Sequence, residues 1–122
     1  MTTAAALTFF VLEVGRAAAV YGIPAPDVVP IYLAERHPGA VSTVYAYVPP
    51  TPPGFEPEVY VMWHFLDGGN EKLLRCVARH EVAHIALGHG RGANTKGEQE
   101  RFEAEANAEL AWRWGEPENC GV

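Results

Sequence analysis

The chain has 122 residues, the length of one ordinary domain, and 48% of them are hydrophobic, which is enough to build a core. The formal net charge is −6 and the nine basic residues form no run, which argues against direct nucleic-acid binding. Charged residues make up 20%, too many for a membrane-embedded protein. The apolar N-terminal stretch lacks a preceding basic residue and is interrupted by Glu13 and Arg16. We therefore expect no secretory signal, no bilayer-spanning segment and a cytoplasmic location.

The apolar spacing and the positions of Gly and Pro predict one α+β domain over residues 1–122. In chain order, the predicted elements are a helix over Thr3–Tyr21, a short helix over Asp27–Glu35, a turn at His37–Gly39, strands over Val41–Val48 and Glu58–Leu66, and helices over Asn70–Leu87 and Lys96–Trp114. Gly22, Gly88 and Gly115 are well placed to end the three long helices. We expect a small antiparallel or mixed sheet that packs against the last two of them.

The chain contains two cysteines, which are far apart in the sequence. Cys76 falls in a predicted buried helix, and Cys120 falls in the C-terminal tail. Two cysteines do not make a disulfide framework, and cysteine ligands of zinc usually come in close pairs. We therefore expect two free thiols in a reducing compartment.

The segment His80-Glu81-Val82-Ala83-His84 matches the His-Glu-x-x-His signature of metalloproteases. Residues four apart share one helix face, so both imidazoles can bind one ion. Glu81 is rotated by about 100° from His80, so it can act as general base on a water that zinc has made more acidic. The alternative is two core histidines held by hydrogen bonds, which is disfavoured because burying them beside a carboxylate is costly.

A catalytic zinc ion needs a third protein ligand. The last predicted helix offers five carboxylates: Glu98, Glu100, Glu103, Glu105 and Glu109. Glu103 shares a helical stripe with Asn107 and Leu110, so we expect it to face the core as the third ligand. Glu100, about one turn earlier, is the runner-up. Glu105 falls on a more polar side, where we expect a solvated side chain. Asn107 is expected to hydrogen-bond a metal-bound imidazole.

Three further side chains are candidates for a substrate cleft: His89, His64 and Tyr60. In the metzincin motif, Gly and His would stand where this chain has Leu87 and Gly90, so that motif is not met. We expect His89 to be a loop or cleft residue, with metal binding as the less favoured alternative. The other histidine and the tyrosine, like Tyr45 and Tyr47, could stabilise an oxyanion, and the sequence selects none of them.

The motif and the later glutamate resemble those of the gluzincins, whose third zinc ligand is a glutamate on a following helix. The segment Glu103-Ala-Glu-Ala-Asn107 resembles their Glu-x-x-x-Asp/Asn pattern. The closest resemblance is to the ImmA/IrrE-type metallopeptidases, through residues 21–29, 74–84 and 103–111. One departure is that Ala108–Ala111 lacks the usual aromatic residue. Membrane-bound zinc peptidases with a later Glu-x-x-Ala-Asp pattern are a weaker match.

The resemblance implies a minimal zincin-like domain in which Zn²⁺ is held by His80, His84 and Glu103. It further implies a peptidase that cleaves a regulatory protein, often a transcriptional repressor. We expect the substrate to add to the strand over Glu58–Leu66 as to a sheet edge. Two alternatives stay open: a catalytically weak metal-binding module that binds a regulatory partner, and a structural protein with a fortuitous motif.

Overall fold

The computed structural model describes residues 1–32 and 45–122. Within these ranges the chain has an α+β fold with four helices and one mixed three-stranded sheet. The helices are α1 (Thr3–Tyr21), α2 (Trp63–Gly68), α3 (Glu71–Ala86) and α4 (Lys96–Trp114), and the strands are β1 (Asp27–Ile31), β2 (Ala46–Tyr47) and β3 (Glu58–Met62). Two short 3-10 turns, His89–Arg91 and Glu118–Gly121, follow α3 and α4.

The three long helices begin and end within one residue of their predicted bounds. At their starts, Thr2, Asn70 and Thr95 each accept a hydrogen bond of 2.9–3.1 Å from the backbone N–H three residues later. At the ends of α1 and α4, Gly22 and Gly115 adopt the left-handed conformation with φ of 67°. Local capping signals therefore set these boundaries.

The predicted helix over Asp27–Glu35 is wrong for the residues that the structure describes, because Asp27–Ile31 forms β1. This strand runs parallel to β3, with Asp27 opposite Glu58. Its β-branched residues favour an extended backbone. Pro30 is tolerated because the strand order β1-β3-β2 places β1 at an edge of the described sheet. Residues 33–35 and the predicted turn at His37–Gly39 lie outside the described residues.

The predicted strand over Glu58–Leu66 is correct only as far as Met62, because α2 begins at the next residue, Trp63. Met62, Phe65 and Leu66 are all buried, and their spacing of three and four residues is typical of a helix. Because β3 lies between β1 and β2, the prediction that it offers a free edge to a substrate is also wrong. Of the strand predicted over Val41–Val48, the structure shows Ala46–Tyr47, and residues 41–44 lie outside its described part.

Helix α1 packs against α3 and contributes Phe10 and Val14 to the core, where both are fully buried. Glu13 is buried as well, and its carboxylate lies 2.9 Å from Arg16 and 3.6 Å from Arg75. With 19 residues and a mean hydropathy of 1.5, α1 is also long and apolar enough to cross a membrane by length and composition. The expectation that no stretch of the chain is long and apolar enough to span a bilayer is therefore wrong, although buried core helices meet the same criterion.

The structure joins Cys76 and Cys120 in a disulfide, so the prediction of two free thiols is wrong. The two cysteines are 44 residues apart in sequence. Helix α4 brings the chain back across α3, and Leu110 packs in one cluster with Cys76 and Ala83. The bond therefore ties the final 3-10 turn to the helix that carries the two motif histidines.

Candidate metal centre

Helices α3 and α4 bring the three predicted ligands together. The Nε2 atoms of His80 and His84 lie 3.1 Å apart. The carboxylate of Glu103 reaches both: one oxygen lies 3.0 Å from Nε2 of His80, and the other lies 3.0 Å from Nε2 of His84. These side chains form a group that could hold a metal ion.

The geometry and chemistry of the group fit a tetrahedral ion. Ligand atoms about 2.0–2.1 Å from such an ion are about 3.3 Å apart. The two Nε2 atoms are 3.1 Å apart, and one nitrogen from each histidine and one oxygen of Glu103 all lie within 4.8 Å of one another. Hydrogen bonds alone serve the group poorly, because each imidazole nitrogen carries either one proton or one lone pair. If both Nε2 atoms carry a proton, two N–H groups face each other; if one of them lacks it, its lone pair faces the carboxylate. A cation at this point would instead attract all three side chains. Two imidazoles and one carboxylate are typical of catalytic zinc and also suit iron or manganese in part.

Glu81 lies beside this group and is 5% exposed. Burial raises the pKa of its carboxyl to about 7, and the nearby histidines oppose the shift. The pKa of Glu103 is held well below its usual range, because the imidazoles of His80 and His84 lie within hydrogen-bonding distance of its carboxylate. Burial acts to lower the pKa of His80, but the bond to Glu103 and the charge of Glu81 outweigh it, so this pKa is raised. The two carboxyl groups thus differ: the pKa of Glu103 is lowered and the pKa of Glu81 is raised.

His89 lies behind the metal group and contacts His84. Their Nδ1 atoms are 2.9 Å apart, and Nε2 of His89 lies 2.7 Å from Glu105. The His89 ring stacks on Phe102 at 3.9 Å. Sequence reasoning placed Glu105 on a solvated face and did not single out Phe102. The prediction from helical angles took account only of the packing of α4 on α3, and it left out the loop that carries His89.

The remaining predicted residues lie outside the metal group. The side-chain amide of Asn107 makes two hydrogen bonds to Asn119, at 3.1 and 3.2 Å, so the bonds it makes hold the final turn. Glu100 is exposed on α4. His64 is exposed on α2, 6.5 Å from the ring of Tyr45. Tyr60 lines a separate, proline-rich cleft.

A cleft opens over the metal group between β2, α3, α4 and the C-terminal turn. Its walls include Tyr45 and Tyr47 at the sheet and Phe102 on α4. Asn119 and Cys120 line it from the C-terminal side. The candidate metal ligands and Glu81 are therefore accessible from one cavity that also borders a strand of the sheet.

Comparisons with protein-family models, with curated proteins and with solved structures found no match to this chain. The resemblance to the gluzincins therefore depends on the motif residues and on their geometry. What the structure shows is a His-His-Glu group able to hold a metal ion, with the histidines on α3 and the glutamate on α4.

Proposed function

We propose that this chain is a zinc-dependent peptidase of the gluzincin type, with an ImmA/IrrE-like site on a minimal zincin-like domain. The observation that carries the proposal is the convergence of His80, His84 and Glu103 within 3.1 Å of one another. The buried Glu81 beside them supplies a carboxylate that is not needed as a ligand. This combination is what hydrolysis of a peptide by a zinc enzyme requires.

Each residue has a distinct task in this proposal. Zinc, when bound, supplies Lewis acidity that polarises the scissile carbonyl and makes water more acidic. A carboxylate oxygen of Glu81 takes a proton from the attacking water and then delivers it to the leaving amine. Glu103 holds its negative charge between the two imidazoles and offsets part of the positive charge of the cation.

We propose that the substrate is a protein segment in extended conformation, with a transcriptional repressor as the class that the family resemblance suggests. The cleft encloses about 920 Å³, within the range of ligand pockets. Strand β2 replaces β3 as the strand to which the peptide adds, because β2 lies at an edge of the described sheet and lines the cleft.

A second candidate function is a metal-binding module that captures a regulatory partner with little turnover. The observation that favours it is the C-terminal turn, which lines the metal cleft through Asn119 and Cys120. The disulfide to Cys76 and the hydrogen bonds to Asn107 hold that turn in place. A cleft partly covered in this way suits retention of a partner better than rapid release of products.

The metal is tested by elemental analysis of protein purified without chelators. We expect one zinc per chain in the wild type and loss of that zinc in His80→Ala and Glu103→Gln. Glu100→Gln is the matched control, because it removes the same charge from an exposed position on the same helix. Full zinc retention by Glu103→Gln would overturn the ligand assignment.

Peptidase activity is tested with a proteome-derived peptide library and mass spectrometry of the new peptide ends. Wild-type protein should produce new ends, and Glu81→Gln should bind zinc but produce none. Equal cleavage by the two proteins would exclude Glu81 as general base. Zinc binding without cleavage by the wild type would favour the binding module.

We propose a cytoplasmic location and no direct contact with membranes or nucleic acid, as the composition suggests. The packing of α1 supports this, since Phe10 and Val14 are buried and Glu13 pairs with Arg75. The Cys76–Cys120 disulfide points the other way, because such bonds persist mainly in oxidising compartments. Cell fractionation, with alkylation of free thiols before lysis, tests whether the protein lies in the cytoplasm and whether its two cysteines are bonded there.

A further inference from the structure

The contact between His84 and His89 extends the metal site beyond its ligands. We propose that His89 and Glu105 are positioning residues, which together hold His84 in the tautomer that leaves its Nε2 atom free to bind metal. The inference rests on the proposed metal site and adds two residues that do not themselves touch the ion.

The direction of the hydrogen bonds follows from the chemistry of the last partner. A carboxylate oxygen only accepts, so Nε2 of His89 donates to Glu105 across 2.7 Å. When His89 is neutral its ring has one N–H, so in that state its Nδ1 atom accepts. Across 2.9 Å it accepts from Nδ1 of His84, which therefore carries the proton. The Nε2 lone pair of His84 then faces His80 and Glu103, where a metal ligand is needed.

Several contacts hold His89 in the orientation that this chain of bonds needs. The residue is 8% exposed, and its ring stacks on Phe102 with an angle of 11° between the planes. Gly88 precedes it with φ of 83°, a left-handed conformation that favours glycine. On the other side, the Gly90 carbonyl accepts a 2.8 Å hydrogen bond from Thr51. The stacking on Phe102 thus orients the ring, and the hydrogen bond at Gly90 holds the loop that carries it.

The other tautomer of His84 would point an N–H at the metal position. Zinc could then bind only after the proton moved to Nδ1, where it needs an acceptor. Loss of such supporting hydrogen bonds typically weakens metal binding about 10- to 100-fold. Removing the His89 nitrogens should therefore weaken zinc binding without altering any ligand.

The first measurement is the tautomer of His84 in metal-free protein, read from long-range ¹H–¹⁵N correlation spectra at about pH 8. We expect the Nδ1–H form in the wild type. His89→Phe keeps a ring to stack on Phe102 but removes both nitrogens, and it should shift His84 toward the Nε2–H form. Glu105→Gln, whose amide can donate or accept, should give a mixture. An Nε2–H form in the wild type, or an unchanged tautomer in His89→Phe, overturns the proposal.

The second measurement is zinc affinity, by competition with a chromophoric chelator. We expect a loss of about 10- to 100-fold in His89→Phe, a smaller loss in Glu105→Gln and no change in Glu100→Gln. Weaker zinc binding in His89→Phe with the wild-type tautomer would show a purely structural effect and would refute the positioning role. A wild type that binds no zinc yet shows the Nδ1–H form would refute the metal site and leave the hydrogen-bond chain supported.

Discussion

Breaking the bond between Cys76 and Cys120 should lower the stability of this domain substantially. A disulfide limits the freedom of the unfolded chain, and the effect grows with the length of the closed loop. For the 44-residue separation observed, the loop-entropy relation gives about 4 kcal/mol at 25 °C. Domains of this size are typically stable by about 5–15 kcal/mol, so the bond would supply a large fraction of the total.

The perturbation is Cys120→Ser, which leaves the buried Cys76 in place, and the assay is urea unfolding with and without a thiol reductant. Wild-type protein should unfold at lower urea when reduced, with a loss of up to about 4 kcal/mol. Cys120→Ser should match the reduced wild type and should not respond to reductant. Identical unfolding of oxidised and reduced wild type would refute the reasoning, as would two alkylatable thiols in the unreduced protein.

Three other changes test the core and the metal site. Burial raises the pKa of Glu81 to about 7. In metal-free protein this carboxyl group therefore loses its proton at a lower pH in the unfolded chain than in the folded one. The free energy of unfolding should therefore fall by about 3 kcal/mol as the pH rises from about 4.5 to above 7. Glu81→Gln should flatten that part of the urea-unfolding profile, and an unchanged profile would contradict the shift. A chelator should remove about 3 kcal/mol from wild type saturated with zinc at 100 times Kd, and nothing from His80→Ala. An equal effect on both in thermal unfolding would place the metal elsewhere. Leu110→Ala should cost about 2–5 kcal/mol, because this side chain is fully buried between α4 and α3. Trp112→Ala, at a 77% exposed position on α4, is its control in urea unfolding, and equal losses would refute the packing argument.

The parts of the fold that sequence reasoning predicted well are those set by short-range interactions. The bounds of α1, α3 and α4 follow from capping residues within a few positions of each helix end, such as Asn70 and Thr95. The pairing of His80 with His84 is of the same kind, because a spacing of four residues on a helix fixes their relative direction. Neither prediction needs knowledge of what packs on the helix.

The errors concern segments whose conformation depends on distant partners. Asp27–Ile31 is a strand because β3 lies beside it, and the local signal of Pro30 fits an edge strand as well as a first helical turn. Cys76 and Cys120 meet only because α4 returns the chain to α3. No periodicity within either segment carries that information, so local patterns could not have predicted these contacts.

The choice among the glutamates of α4 combines both kinds of information. Seven residues rotate a helix by about 700°, so Glu103 lies within about 20° of the buried Leu110, and the buried stripe selects it. Glu105 lies about 140° from Leu110 and looks solvated by the same measure. It has a partner because the loop after α3 turns at Gly88 and places His89 beside α4. If His89 positions His84 as proposed, that turn matters to metal binding as much as the rotation of α4. Gly88→Ala, which strains a left-handed backbone, should then weaken zinc binding in the same way as His89→Phe.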